Sequence, residues 1–201
     1  MKKIVLAITV MLLMGATAMA QTAQQVLDKC AATVTVSSGV SANFTMNSAQ
    51  YGNASGTISI KGQKFYMHTN AMTMWFDGKT LWTYMANNDE VNISTPTAQQ
   101  LQTLNPYNFI NLYKDGYSAT MTTSAADYQV HLTSIGDKHK IKEAFLLVDK
   151  KTSAPKEIKT LMDSKWTIFT ISGLKAENLS DSQFRFNSKD YPDAEIIDLR
   201  R

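Results

Sequence analysis

One short stretch, residues 72–85, reads MTMWFDGKTLWTYM and predicts a β-hairpin. Met72, Met74 and Phe76 recur at every second position, as the side chains on one face of a strand do. Asp77-Gly78 follows, a dipeptide that favours a tight turn between antiparallel strands. The run from Leu81 to Met85 then returns as a second apolar strand. Antiparallel strands are therefore the expected units of this fold.

The same period of two extends on both sides of the hairpin. The alternating apolar positions upstream are Val40, Ala42, Phe44 and Met46, then Ile58 and Ile60, then Phe65 and Met67. Downstream, Val91 and Ile93 continue the pattern, and strands resume at Tyr117 and run to Ile171. We expect about ten short antiparallel strands in one mainly β (α+β) domain. They would form an unclosed antiparallel β-barrel or a strongly curved sheet around an interior.

Three segments carry signals for helix starts. Thr22 and Gln25 form a capping box before an amphipathic pattern. Thr95-Pro96 and Asn105-Pro106 each look like an N-cap with proline at the first helical position. We therefore expect one opening helix and two short helices over the opening of the sheet. Phe184 and Phe186 are expected to form a last short edge strand.

The first twenty residues have the pattern of an export signal. Two lysines precede the apolar run Ile4–Met14, and the small residues of Ala18-Met19-Ala20 suit a signal peptidase. The apolar run is about half of the ~20 residues that cross a bilayer. We expect residues 1–20 to be a cleavable signal peptide, cut after Ala20, and residues 21–201 to form a single domain in the periplasm. Gln21 follows the cut, where a lipid-anchored protein would need cysteine, so no acylation is expected.

Charge and motifs speak against several functional classes. The chain has 20 Lys and Arg against 17 Asp and Glu; without Lys2 and Lys3 the counts are 18 and 17, which does not favour nucleic acid as a partner. His68, His131 and His139 are dispersed, and Cys30 is the only cysteine, so neither a metal site nor a disulfide is expected. No G-x-S-x-G elbow and no Gly-rich phosphate loop occurs. We expect a protein that is not an enzyme and has no cofactor.

Apolar bulk is concentrated between residues 65 and 85, where three aromatic types and four methionines occur together with leucine. Methionine is flexible and polarizable, so it suits a surface that adapts to varied apolar ligands. An ordinary hydrophobic core has the same composition. The composition alone leaves both interpretations open.

The stretch Phe76-Asp77-Gly78-Lys79-Thr80-Leu81-Trp82-Thr83-Tyr84 resembles the periplasmic outer-membrane lipoprotein carrier family (LolA-like), whose hairpin reads D-G-K-x-L-W-x-Y. Gly56-x-Ile58-x-Ile60-Lys61 and the segment from Asn105-Pro106 to Tyr113 are similar to the family and stand in the same order. The resemblance implies an unclosed β-barrel with helices as a lid over an apolar cavity. It also implies a monomeric carrier that accepts acylated lipoproteins from an inner-membrane ABC-type release complex and passes them to an outer-membrane acceptor.

The resemblance and the apolar pattern together give candidate site residues. The candidate cavity walls are Ile58, Ile60, Phe65, Met67, Met74, Phe76, Trp82 and Tyr84. The candidate lid residues are Leu101, Leu104, Phe109, Ile110 and Leu112. Lid closure would compete with loading, because the lid exchanges its own apolar contacts for those of an acyl chain.

The sequence departs from the family at one position. Family members place arginine and then proline just after the lysine of the second strand, where the arginine holds the lid shut; here Gly62 and Gln63 follow Lys61. Lys64 is the candidate substitute, although an ammonium lacks the planar fork of a guanidinium. An apolar-ligand-binding or lipid-sensing regulatory protein on the same fold is the alternative function.

Overall fold

The structure is a computed structural model that describes residues 21–200, without the side chains at positions 99, 102, 103 and 106. The expected signal peptide, residues 1–20, lies outside the described residues. Within the described range, every helix is too short or too polar to cross a membrane.

Twelve strands form one sheet in the described part of the chain. They are β1 (Val40–Ser48), β2 (Gly52–Lys61), β3 (Lys64–Thr69), β4 (Met72–Phe76), β5 (Leu81–Met85), β6 (Glu90–Ser94), β7 (Tyr117–Thr123), β8 (Asp127–Ser134), β9 (Ile141–Asp149), β10 (Pro155–Met162), β11 (Lys165–Ala176) and β12 (Glu195–Asp198). Their order is β12-β6-β5-β4-β3-β2-β1-β11-β10-β9-β8-β7, so β12 and β7 are free edges and the sheet is curved but not closed. All neighbours are antiparallel except β12, which runs parallel to β6. The expected unclosed, mainly antiparallel sheet is confirmed.

The concave face of the sheet carries the hydrophobic core. Val40 pairs with Ile60 and Ala42 with Ile58, so alternate residues of neighbouring strands point to the same side. Helix α1 (Ala23–Val34) contributes its apolar stripe, including Leu27, to the same core. Its capping box at Thr22 is present as predicted.

Two consecutive helices, α2 (Ala98–Leu104) and a 3₁₀ helix (Pro106–Lys114), lie against this core; we call them the lid. Helix α2 starts after Thr97, so the predicted start at Thr95-Pro96 is wrong by two residues. The physical reason is a capping box: the Gln100 amide donates to the Thr97 hydroxyl at 3.3 Å, and the Thr97 amide donates to the Gln100 side chain at 2.8 Å. Asn105 caps the 3₁₀ helix as predicted, because its side-chain oxygen accepts from the Tyr107 amide at 3.0 Å.

The C-terminal segment, residues 177–200, differs from the expectation. Phe184 lies in a second 3₁₀ helix (Asp181–Phe184) and Phe186 in a loop, so the predicted edge strand at these residues is wrong. A third 3₁₀ helix (Ser188–Asp190) leads to β12, which supplies the edge instead. The reason is an aromatic surface on the convex face: the rings of Phe186 and Tyr191 each lie 5.5 Å from the ring of Trp75 and cover it.

Candidate apolar binding site

An apolar cavity of about 430 Å³ lies between the concave face of the sheet and the lid. One wall comes from β1 and β11, with Phe44 and Phe169, and the opposite wall comes from β3 to β5. Lys165 is the only charged residue among the described residues that line the cavity. An apolar ligand therefore finds mostly apolar contacts inside.

The lid closes this cavity with two apolar side chains. Leu104, the last residue of α2, and Phe109 of the 3₁₀ helix both line it. The Phe109 ring lies 6.1 Å from the ring of Phe169 across the cavity. Phe109 is buried, whereas Leu104 is only half-buried, so the α2 end of the lid is the less firmly packed end.

Methionines dominate the lining. Six of the seven methionines among residues 21–200 line this one cavity, and we call them the methionine cluster: Met46, Met67, Met72, Met74, Met85 and Met162. Met67 pairs with Met74 across β3 and β4, and Met72 pairs with Met85 across β4 and β5. Directly opposed side chains in an antiparallel pair are close neighbours, so four thioethers form one patch on the wall.

The mouth of the cavity is formed by turns at one end of the sheet. Tyr51 in the β1–β2 turn and Ala71 in the β3–β4 turn both line it, as does Lys165 at the start of β11. Tyr51 is 61% exposed, an unusual placement for a large apolar ring. The entrance therefore presents an aromatic surface and one ammonium group to the solvent.

A second cavity, of about 520 Å³, lies at the other side of the lid and has a mixed lining. Leu101 and Leu112 of the lid meet Phe65 and Phe76 there. Its polar lining residues include Gln63, Asn105, Asn108, Asn111, Asp115 and His139. This polarity makes it a poorer match for an acyl chain than the methionine-lined cavity.

The predicted site residues thus divide into groups. Met67, Met74, Leu104 and Phe109 line the apolar cavity, and Phe65, Phe76, Leu101 and Leu112 line the second one. Ile58, Ile60 and Ile110 are buried in the core and line neither cavity. Whether any of these residues binds a ligand stays a prediction.

Trp82 and Tyr84 are placed on the convex face, so their assignment to the cavity wall is wrong. Trp82 pairs with Trp75, and the Tyr84 ring lies 4.5 Å from the ring of Tyr191 in the C-terminal segment. Along β5 the residues that share the face of Met74 are Leu81, Thr83 and Met85. The sequence does carry a signal for this placement. Four residues separate Phe76 from Leu81, so these two residues pair and Trp82 points to the convex face.

Sequence reasoning missed most of the residues that line the apolar cavity. The lining residues not foreseen as wall positions include Phe44, Met46, Met72, Met85, Met162 and Phe169. Four of them come from β1, β10 and β11. These strands face β3 and β4 across the cavity because of the order of strands in the sheet, which the local sequence pattern does not reveal. The period of two does mark Met72 as sharing a face with Met74.

The lysine proposed as a lid latch contacts another part of the chain. The Lys64 ammonium lies 2.7 Å from Asp181, and that of Lys61 lies 3.2 Å from the same carboxylate. These two hydrogen bonds hold the pKa of Asp181 below its usual range. Lys64 therefore ties the C-terminal segment to the β2–β3 turn, and the latch prediction is wrong.

The lid is bonded to α1 instead. The Tyr113 hydroxyl donates a hydrogen bond to the Asp28 carboxylate. Burial, followed by that hydrogen bond, raises the pKa of Tyr113 to about 12, so the donor stays protonated at physiological pH. Gly62, where the family arginine would stand, has a φ of +61° in the turn and lines the second cavity.

Comparisons with known proteins agree with this architecture. A family model described as outer membrane lipoprotein carrier protein LolA matches residues 13–163. No curated protein sequence matches the chain. An uncharacterized conserved protein from Thermus thermophilus has a solved structure that superposes with a TM-score of 0.59 at 15% identity, covering 89% of this chain and 99% of that one. This likeness shows a shared fold.

Two further solved structures are more distant. A LolA superfamily protein from Nitrosomonas europaea superposes with a TM-score of 0.44 at 13% identity, covering 82% of this chain and 98% of that one. A putative outer membrane lipoprotein-sorting protein domain from Vibrio parahaemolyticus gives a TM-score of 0.44 at 10% identity, covering 80% and 95%.

Proposed function

This chain belongs to the outer membrane lipoprotein carrier protein LolA family, and from that premise we propose that it binds the acyl chains of lipoproteins and carries them between membranes. The observation that carries the proposal is the apolar cavity beneath the lid, with Leu104 and Phe109 projecting into it. Its volume of about 430 Å³ is of the size typical of small-ligand sites.

The energetics of acyl chains explain why such a cavity is useful. Each methylene buried away from water contributes ~0.8 kcal/mol, so an acylated protein leaves a membrane slowly unless another apolar site receives the chain. A carrier must bind the chain and later release it. In our proposal the lid serves both needs, because Leu104 and Phe109 return to the cavity as the chain departs and replace its contacts.

The proposal extends to location and partners. The protein acts in the periplasm after cleavage behind Ala20, with acylated lipoproteins as cargo. It receives them from an inner-membrane ABC-type release complex and delivers them to an outer-membrane acceptor. The cargo enters and leaves by exchange of apolar contacts, and no covalent bond is made or broken.

Binding of a fluorescent fatty acid to the purified protein tests the proposal, together with mass spectrometry of acylated proteins that copurify from the periplasm. Leu104→Glu places a carboxylate in the apolar lining, and we expect affinity for the probe to fall by about tenfold or more, equivalent to 1.4 kcal/mol. Leu161→Glu is the matched control, because Leu161 pairs with Trp166 on the convex face of β10.

The expected result is that Leu161→Glu binds like the unmodified protein and Leu104→Glu does not. Equal binding by both variants would place the acyl site elsewhere. Absence of both probe binding and copurified acylated protein would overturn the proposed function itself.

A further inference from the structure

The lining of the apolar cavity contains six methionines but few branched aliphatic side chains. Among the described residues that line the cavity, leucine and isoleucine occur once each, as Leu104 and Ile141, and valine does not occur. Six thioethers stand where branched aliphatic chains would provide the same apolar contact. Besides being flexible and polarizable, thioethers differ from those side chains in being readily oxidised.

The exposed fraction of the methionines in the cluster rises from the interior of the cavity to its mouth. Met67 and Met74 are 8% and 6% exposed and form its deep part. The remaining four are half-buried: Met46, Met72, Met85 and Met162. Met72 follows the β3–β4 turn, and Met85 and Met162 end their strands, so these three residues lie at the end of the sheet that carries the mouth.

We propose that the four half-buried methionines are a site of reversible oxidation by hypochlorous acid, and that oxidation stops the cavity from taking up apolar chains. The sulfur gives two electrons to the chlorine, which leaves as chloride. Water supplies the oxygen of the new S=O bond, and two protons go to solvent, one of them balancing the hydroxide released from the oxidant. Reduction of the sulfoxide by two thiols returns the thioether, with water and a disulfide as the other products.

Oxidation makes the lining of the cavity more polar. A sulfoxide oxygen is a strong hydrogen-bond acceptor, and within the part of the chain that the structure describes Lys165 is the only charged donor in the lining. An apolar chain entering the oxidised cavity would bury polar oxygens without partners. This consequence for uptake rests on the proposed function, whereas the pattern of oxidation rests on burial alone.

The order of oxidation is the first test. The purified protein is treated with limiting hypochlorite and each methionine is followed by peptide mass spectrometry. We expect the four half-buried members of the cluster to gain oxygen before Met67 and Met74, and a bound fatty acid to slow all four. Oxidation of Met67 and Met74 at the same rate as the others, or earlier, would overturn the proposal.

Probe binding after oxidation is the second test. We expect the oxidised protein to bind a fluorescent fatty acid about tenfold more weakly or worse, and methionine sulfoxide reductases to restore binding. A variant with leucine at positions 46, 72, 85 and 162 should bind the probe equally before and after treatment, whatever its starting affinity. Met121→Leu is the matched control, since Met121 is half-buried on β7 outside the cavity and this variant should lose binding as the unmodified protein does.

The outcomes separate the two proposals. Unchanged binding by the oxidised protein, or equal loss in the fourfold leucine variant, contradicts the oxidation switch. If the protein binds no acyl probe before oxidation, the proposed function is contradicted, and so is the effect of oxidation on uptake. The order of oxidation then still shows whether the four half-buried methionines are the site of modification. Circular dichroism checks that the fourfold variant is folded. If it is not, the four single leucine variants are used instead, and each is expected to retain part of its probe binding after oxidation.

Discussion

At the scale of single residues, Cys30 lies on the face of α1 that packs into the core. It is the chain's only cysteine and has no exposed surface. Burial raises the pKa of its thiol to about 12. We expect no reaction with a thiol reagent at about pH 8 in the native state and full reaction in urea.

Labelling over time, followed by mass spectrometry, measures this difference. Ser37→Cys is the control, because position 37 is exposed in the loop after α1 and should label at once. Rapid labelling of native Cys30 would show that α1 is not packed as described.

A charged triad at one end of β8, β9 and β10 is expected to give the fold an acid-sensitive component. The Lys156 ammonium lies 2.7 Å from Asp127 and 2.8 Å from Asp149. The hydrogen bond from Lys156, together with those from Thr152, holds the pKa of Asp149 well below its usual range. Because the folded-state pKa is lowered, the stabilisation is fully present above the unfolded value of about 3.9 and is lost as the pH falls towards the folded value.

Urea unfolding of Asp149→Asn tests this sign. We expect the variant to be less stable than the unmodified protein at about pH 7 and the difference to shrink below about pH 3. Asp137→Asn is the control, because the Asp137 side chain is fully exposed and its ion pair should contribute little. A difference that grows in acid would contradict the assignment.

At the scale of elements, the two capping boxes show what local sequence can decide. Residues 22–25 and 97–100 have the same sequence, TAQQ, and both cap a helix. The second start was misplaced because Thr95-Pro96 also satisfies a helix-start pattern. The repeated TAQQ stretch carried the correct signal, and the reciprocal side-chain bonds of Thr97 and Gln100 show that it prevails. Local signals therefore predict that a helix forms more reliably than they predict its first residue.

Gly56 sets how closely β2 and β3 approach. A Cβ atom at this position would lie 1.9 Å from the carbonyl oxygen of His68, which is main chain and cannot move aside alone. We expect Gly56→Ala to destabilise the fold by about 1–3 kcal/mol through overpacking. Thermal unfolding measures the loss.

The neighbouring Ser55→Ala is the matched control, since Ser55 is exposed and should change stability by less than about 0.5 kcal/mol. Equal melting of the two variants would mean that β3 can shift without cost.

At the scale of the whole molecule, the period of two predicted the open antiparallel sheet, and the proline signals predicted that two short helices would follow β6. The C-terminal segment was not predictable in the same way. Strand β12 pairs with β6, and Ile196 aligns with Val91, about a hundred positions away in the chain. No hairpin turn connects the two strands, so no local pattern predicts their pairing. The same limit applies to the site, because Met162 and Phe169 reach the cavity only through sheet order.

Phe184 is expected to anchor that C-terminal segment. It has no exposed surface, and its 3₁₀ helix packs against β3 and β4 outside the concave core. We expect Phe184→Ala to lower the free energy of unfolding by about 3–5 kcal/mol. Phe186→Ala is the control, because Phe186 is half-buried and should cost clearly less. Equal losses in urea unfolding would show that the segment has no single anchor.

The place of β1 in the sheet has a consequence for how the protein folds. Strand β1 lies between β2 and β11, and Val40 pairs with Ala176. A chain that emerges from its N-terminus first can form the β1–β2 hairpin early, but the other edge of β1 has no partner until residues 165–176 have followed. Such distant pairing slows folding, and an exposed edge can pair with other chains. The centre of the sheet is therefore completed only after β11 has emerged, and β1, one of the two central strands, has an open edge until then.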